Sequence, residues 1–197
     1  MKSTKFFIFS IVLLAIVLVF AVQAQAGLQT IGTATYGGSD YNLIYDNDSQ
    51  LTWLDYTNDL SNWNTQRNWA GGLNAAGVLT YNFNAGVSMN WSDEWRLPTV
   101  TDSGTPGCNF GYSGTDCGYN IDTSTGEMAH LWYDELDNVA YYDTSGTAPQ
   151  TGWGLTKTGD FQNLQPDGYW SGTEYPPPPY GQRVELLHQW RYPGPRL

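Results

Sequence analysis

One histidine in this sequence stands among carboxylates. His130 lies in Glu127-Met-Ala-His-Leu131 and is followed by Asp134-Glu135. A nucleophile–histidine–acid set would have to use it, because the other histidine, His188, lies in the C-terminal tail. Its place between Ala129 and Leu131, in a stretch of helical spacing, predicts a packed or hydrogen-bonded structural histidine instead. The carboxylate pairs Asp93/Glu94 and Asp134/Glu135 are adjacent in sequence. Neighbours on a helix do not face each other, so neither pair predicts an acid–base dyad. Asp46-Asn-Asp48, with Asp55 beyond it, offers the oxygen ligands that calcium prefers. Leu51 stands where an EF-hand loop needs glycine, and a turn with solvated acids is the plainer reading. Asp46, Asp48 and Asp55 are thus weak calcium candidates, and no other cofactor is expected.

Cys108 and Cys117 enclose a short loop containing Gly111 and Gly114, with Gly118 just beyond. There is no Cys-x-x-Cys, and neither histidine is near in sequence. A structural disulfide is therefore favoured over a redox pair or a metal site. Closing so small a loop contributes about 2–3 kcal/mol in the chain-entropy picture.

Aromatic residues are the other chemistry on offer. Sugars present C–H faces that stack on Trp and Tyr, and their hydroxyls pair with Asn, Asp, Gln and Arg. The chain has nine Trp and fourteen Tyr. Trp53, Trp95, Trp132 and Trp170 lie in regular phrases and are expected to pack. Trp153, in Thr151-Gly-Trp-Gly154, and Tyr112, in the cysteine loop, are the candidate ligand-binding residues at the surface.

The elements that must position these groups are few. The 197-residue length suggests one domain with a real core. Tyr41–Tyr45 and Leu51–Tyr56 read as strands joined by turn chemistry over Asp46–Gln50. A helix is predicted over Trp63–Ala76, with Trp63, Ala70 and Leu73 on one side and Gly77 as its stop. Ser124-Thr-Gly-Glu127 reads as a capping box for a second helix over Thr125–Asp137. Pro98 leaves Trp95–Leu97 at most a short edge strand. Residues 138–168 read as loop, and Gly168–Tyr175 as a strand. The class expected is α+β, with two helices, short antiparallel strands and long loops.

The first 26 residues carry Lys2 and Lys5, an apolar run over Phe6–Val22 and a small-x-small site at Ala24-Gln25-Ala26. They read as a secretory signal, with cleavage leaving Gly27 first and no membrane span afterwards. The location expected is secreted, periplasmic or cell-surface. Lys+Arg number 8 against Asp+Glu 19, a net charge of −11. Such a balance argues against nucleic acid and against an anionic membrane surface.

The balance changes near the end. Residues 27–182 carry three basic and eighteen acidic side chains, and residues 183–197 three basic and one acidic. Pro176–Pro179 precede the change. An ordinary basic tail, a reading-frame change over residues 176–197, and a last packed segment around Leu186, Leu187 and Trp190 are three readings of it.

Four phrases run in order: Leu51-Thr-Trp-Leu-Asp55, Trp95-Arg-Leu-Pro-Thr99, Glu127-Met-Ala-His-Leu131 with Tyr133-Asp-Glu-Leu136, and Tyr169-Trp-Ser-Gly-Thr-Glu-Tyr175. Together they resemble the DUF1566 family, also called the Lcl C-terminal domain, in an exported bacterial subgroup. The resemblance covers about residues 40–175 and divides the chain into a signal (1–26), the domain (27–180) and an atypical tail (181–197). It implies a C-type lectin-like fold related to formylglycine-generating enzymes. In an adhesin of the family the same domain is associated with sulfated polysaccharide. Relatives close with a further strand, which the polyproline run and basic tail replace here, so a truncated, non-functional copy is one reading. Gln165-Pro-Asp167 also matches a short signature of galactose-binding C-type lectins, without its Trp-Asn-Asp partner. The cysteines, set in a small Gly-rich loop, do not suit formylglycine-type catalysis.

The function expected is an exported, non-enzymatic binding module recognising polysaccharide or another surface protein. The alternative is a structural envelope or matrix protein without a small ligand. Losing Lys2 and Lys5 takes the charge from −11 to −13. That repels sulfated polysaccharide and points to a neutral or cationic glycan.

Overall fold

Two adjacent glycines set the first hairpin. Gly37 and Gly38 have φ of 59° and 85°, the pair of positive values that a two-residue primed turn demands. The turn joins β1 (Leu28–Tyr36) to β2 (Ser39–Asp46), which pair antiparallel with Tyr36 opposite Ser39. A computed structural model describes residues 27–58, 62–89, 91, 94–100, 112 and 119–173, and the backbone of 185–186. The signal over 1–26, Cys108, Cys117 and nearly all of the tail lie outside these residues.

Asp46 builds the next turn itself. Its Oδ1 accepts the amides of Asp48 and Ser49 at 3.0 and 3.1 Å, and its Oδ2 accepts the Ser49 hydroxyl at 2.6 Å. β3 (Leu51–Leu54) returns antiparallel to β2. β4 (Thr80–Phe83) adds to the free edge of β1, giving the order β3-β2-β1-β4. The β1 register slips between Thr30 and Gly32, leaving Ile31 as a bulge. Gly32 is required there, because a Cβ would lie 2.4 Å from the Asn82 carbonyl oxygen.

The sheet carries apolar side chains on both faces. Ile31, Ala34 and Leu43 pack with Leu73 and Leu79 in one cluster, edged by Trp69, Trp91 and Trp95. Ile44, the neighbour of Leu43, packs with Leu131, Leu136 and Phe161 in the other. Leu43, Ile44 and Leu131 are at most 1% exposed, so truncating any one to alanine costs about 2–5 kcal/mol.

α1 (Trp63–Gly72) starts at Asn62, whose side chain accepts the Thr65 amide at 3.0 Å. Trp63, Ala70 and Leu73 are buried together, as their spacing predicts. The helix ends before the expected Ala76. Gly71 and Gly72 weaken it, and Asn74 instead clasps Trp95 through both its amide and its carbonyl. Trp95–Leu97 therefore forms no strand; side-chain bonds tie it down in place of a ladder.

The second predicted helix is shorter and wound differently. α2 spans Glu127–Ala129 and continues as a π-helical turn over His130–Glu135, with the Leu136 amide bonded to the Leu131 carbonyl at 2.9 Å. No capping box forms. Ser124 bonds Asp122, and Glu127 turns to Arg96 and the Thr99 amide. A charge-assisted two-pronged pair, with both contacts at 2.7 Å, outcompetes the neutral cap. The last expected strand reduces to β5 (Tyr169–Trp170), paired with β6 (Glu185–Leu186). The result is a mixed α+β fold. Among the described residues no helix is long and apolar enough to cross a membrane.

Candidate functional site

Beyond the π turn the chain bends back on itself. Val139 bridges to Trp153 and Gly154, and the Gln150 side chain donates to the carbonyls of Ala140 and Tyr142 at 2.9 and 3.0 Å. Asp143 Oδ1 accepts the amides of Ser145 and Thr147, each at 2.8 Å, and the Ser145 hydroxyl. Those bonds hold its carboxyl below the ordinary aspartate value, the Ser145 hydroxyl contributing most. Gly146 lies flat on the Tyr112 ring, where a Cβ would come within 2.7 Å of it.

This scaffold gathers five aromatic rings, with Tyr112, Tyr119 and Tyr142 in mutual contact. Tyr119 stacks on Tyr112 with centroids 5.2 Å apart and planes 13° from parallel. Tyr112 meets Tyr142 at 4.9 Å, Tyr142 meets Tyr141 at 4.9 Å, and Tyr141 and Trp153 form a T-shaped pair at 4.9 Å. Trp153 is the exposed large hydrophobic of the described residues, at 38%. Tyr112 and Trp153, the two residues singled out in the sequence, thus belong to one connected cluster, in which Trp153 is exposed and the Tyr112 ring is partly covered by Tyr119 and Gly146. Tyr119, Tyr141 and Tyr142 complete it, and no sequence signal marks them. Burial raises the Tyr142 phenol above its ordinary pKa, with the neighbouring phenols adding to the shift.

A cleft of about 560 Å³ opens elsewhere, bounded by Trp53, Trp69, Leu97, Asn163 and Trp170. Gln165, Pro166 and Asp167 form part of its wall. Gln165 donates its amide to the Tyr169 hydroxyl at 2.7 Å, and Asp167 accepts the Gly168 amide at 2.9 Å. The volume is that of a small-molecule site, apolar with a few polar groups.

The three weak calcium candidates separate. Asp55 is 2% exposed and accepts the amides of Gln162 and Asn163 at 2.7 and 2.9 Å, so it holds a loop. Asp48 donates its amide to Asp46 and has its own side chain exposed. Asp46 shares the sheet face of Ile44, and the π turn packs there. It meets His130, whose Nε2 lies 3.6 Å from Asp46 Oδ2 and 3.4 Å from Glu135 Oε1, while Nδ1 lies 3.1 Å from Asp134 Oδ2. Asp46, His130 and Glu135 present ligand atoms all within 4.8 Å of one another, a set that could hold a metal. Burial raises the Glu135 carboxyl above its ordinary value, the charges of Asp46 and Asp48 add to this, and His130 and the Gly27 amide oppose it.

Adjacent carboxylates on an α-helix point apart, yet Asp134 and Glu135 both reach one imidazole. The π turn accounts for this, because its wider winding brings residues i+4 and i+5 beside residue i. Cys108 and Cys117, and Asp93 of the Asp93/Glu94 pair, lie outside the described residues.

No known protein family, curated protein or solved structure matches this chain.

Proposed function

We propose that this chain is an exported, non-enzymatic binding module that recognises a neutral or cationic carbohydrate at the cell surface or in the extracellular matrix. The aromatic cluster of Tyr112, Tyr119, Tyr141, Tyr142 and Trp153 carries the reading. It ends on an exposed indole and is braced from behind by an Asx turn and by Gln150. Stacking of a sugar C–H face needs a rigid, open aromatic ring, and Trp153, exposed and in contact with Tyr141, offers one.

The finer reading of the fold as C-type lectin-like and related to DUF1566 has a structural support. The phrases that carry the resemblance meet in space. Arg96 pairs with Glu127, the Thr99 amide donates to Glu127, the Gly172 amide donates to the Pro98 carbonyl at 2.8 Å, and Val100 donates to Thr173. Three of the four runs are tied by these bonds, Trp53 of the remaining run packs against the cluster of Leu131 and Leu136, and such contacts are what a shared fold would keep.

The test is binding of the purified chain to neutral, cationic and sulfated polysaccharides by affinity electrophoresis. Retention is expected on neutral or cationic matrices and not on sulfated ones. Trp153→Ala should weaken it at least about tenfold while the melting temperature stays within about 2 °C. Retention that survives Trp153→Ala and Tyr112→Ala but is lost in Asp167→Ala would move the site to the cleft. No retention on any matrix would favour the structural envelope or matrix role.

A further inference from the structure

We propose that Asp46, His130 and Glu135 form a binding site for one divalent transition-metal ion of the zinc class, clamping the end of β2 to the π turn. The site stands independently of the carbohydrate reading. It also differs from an all-oxygen calcium site, since it centres on an imidazole and leaves out Asp48 and Asp55.

Geometry is the first argument. Zinc bonds to nitrogen and carboxylate oxygen at about 2.0–2.1 Å, so neighbouring corners of its tetrahedron are about 3.3–3.4 Å apart. His130 Nε2 lies 3.4 and 3.6 Å from the two carboxylate oxygens. Those two separations are long for hydrogen bonds and right for co-ligands of one ion, and the two carboxylate oxygens lie within 4.8 Å of each other. The second argument is the unmet bonding capacity. His130 Nε2 and Glu135 Oε2 are buried without a hydrogen-bond partner, and the Glu135 side chain is only 3% exposed. A buried carboxylate oxygen lacking a donor is costly unless a cation meets it.

The third argument is orientation. Asp134 Oδ2 lies 3.1 Å from His130 Nδ1. A proton held on Nδ1 leaves the Nε2 lone pair directed at the cluster, the carboxylate–histidine–metal arrangement. Asp46 is likewise fixed, by two backbone amides and the Ser49 hydroxyl. Imidazole with two carboxylates suits zinc better than calcium, which takes six to eight oxygens.

The experiment titrates Zn²⁺ into the EDTA-treated, full chain by calorimetry and follows melting. One ion per chain should bind and raise the melting temperature, and excess Ca²⁺ should not displace it. Glu135→Gln and His130→Gln should each weaken binding at least about a hundredfold, with unchanged far-ultraviolet circular dichroism in EDTA. Asp134→Asn, at an exposed position, should weaken it about 10- to 100-fold without abolishing it, a signature that a merely structural histidine would not give. Absence of saturable binding near one ion per chain would overturn the proposal. So would binding unchanged in Glu135→Gln and in Asp134→Asn, which would place the ion elsewhere.

Discussion

Asp55 and Glu135 are both buried carboxylates, 2% and 5% exposed, and they are finished to different degrees. Each Asp55 oxygen accepts a backbone amide, and its own carbonyl accepts the Asn163 side chain at 2.9 Å. Glu135 keeps one oxygen with no donor and stands beside another buried acid. The first arrangement closes a loop onto the sheet with both oxygens hydrogen-bonded. In the second, burial and the charge of Asp46 push the carboxyl up. A fold that satisfies a carboxylate this fully in one place, and leaves one oxygen of another without a donor beside a histidine and a second acid, separates architecture from binding capacity.

Asp55→Asn is the strongest way to break that comparison. Asparagine turns one acceptor into a donor that faces a backbone N–H, and it removes the charge from both bonds. The loss expected is about 2–4 kcal/mol in chemical denaturation. A loss under about 1 kcal/mol would mean that Asp55 is not the loop clamp described above.

Glu127 is the intermediate case. Burial works against its charge, but the Arg96 pair and the Thr99 amide outweigh this and hold the carboxyl below its ordinary value. A depressed carboxyl contributes stability that is present above the ordinary glutamate range, about pH 4.3, and is lost as pH falls through the folded value. Arg96 is 43% exposed, so the contribution is discounted to about 1–2 kcal/mol. Glu127→Gln should lower stability by that amount at pH 7, and the difference from the parent should shrink toward pH 3. Glu135→Gln in metal-free protein should go the other way, leaving stability unchanged or raised by up to about 1 kcal/mol. A clear loss there would show that Glu135 is finished after all, and the two regions would no longer differ.

How far these regions could be read in advance depends on distance along the chain. The β2–β3 hairpin was legible because alternation and turn residues act locally. β1 was not: Ile31 and Ala34 are both buried although three apart, since the bulge at Ile31 breaks the two-residue period. The helix at Glu127 was legible as apolar spacing. Its π winding was not, because no 3.6-residue pattern encodes an i→i+5 bond. Without that winding Glu135 falls on the wrong side of His130, and Asp46, eighty-odd residues earlier, gives no local sign of either. Trp153 and Tyr112 stood out from their glycine-flanked loops, whereas their partners Tyr119, Tyr141 and Tyr142 join them only through ring contacts made in the folded chain.

The smallest effect should come from the exposed end of the same series. Asp137 pairs with Lys157, but the two side chains are 80% and 54% exposed, where an ion pair contributes little. Its backbone is the more demanding feature, with φ of 48°, in the left-handed region. Asparagine tolerates that conformation as well as aspartate does, so Asp137→Asn should change stability by less than about 0.5 kcal/mol at any salt concentration. Asp137→Ala loses the same charge and adds left-handed strain, about 1 kcal/mol. Equal losses for the two variants, both relieved by added salt, would show that the charge matters at the surface as much as at Glu127. The asymmetry expected instead, with alanine costly and asparagine silent, would confine the energetic weight of this acidic chain to the carboxylates it buries.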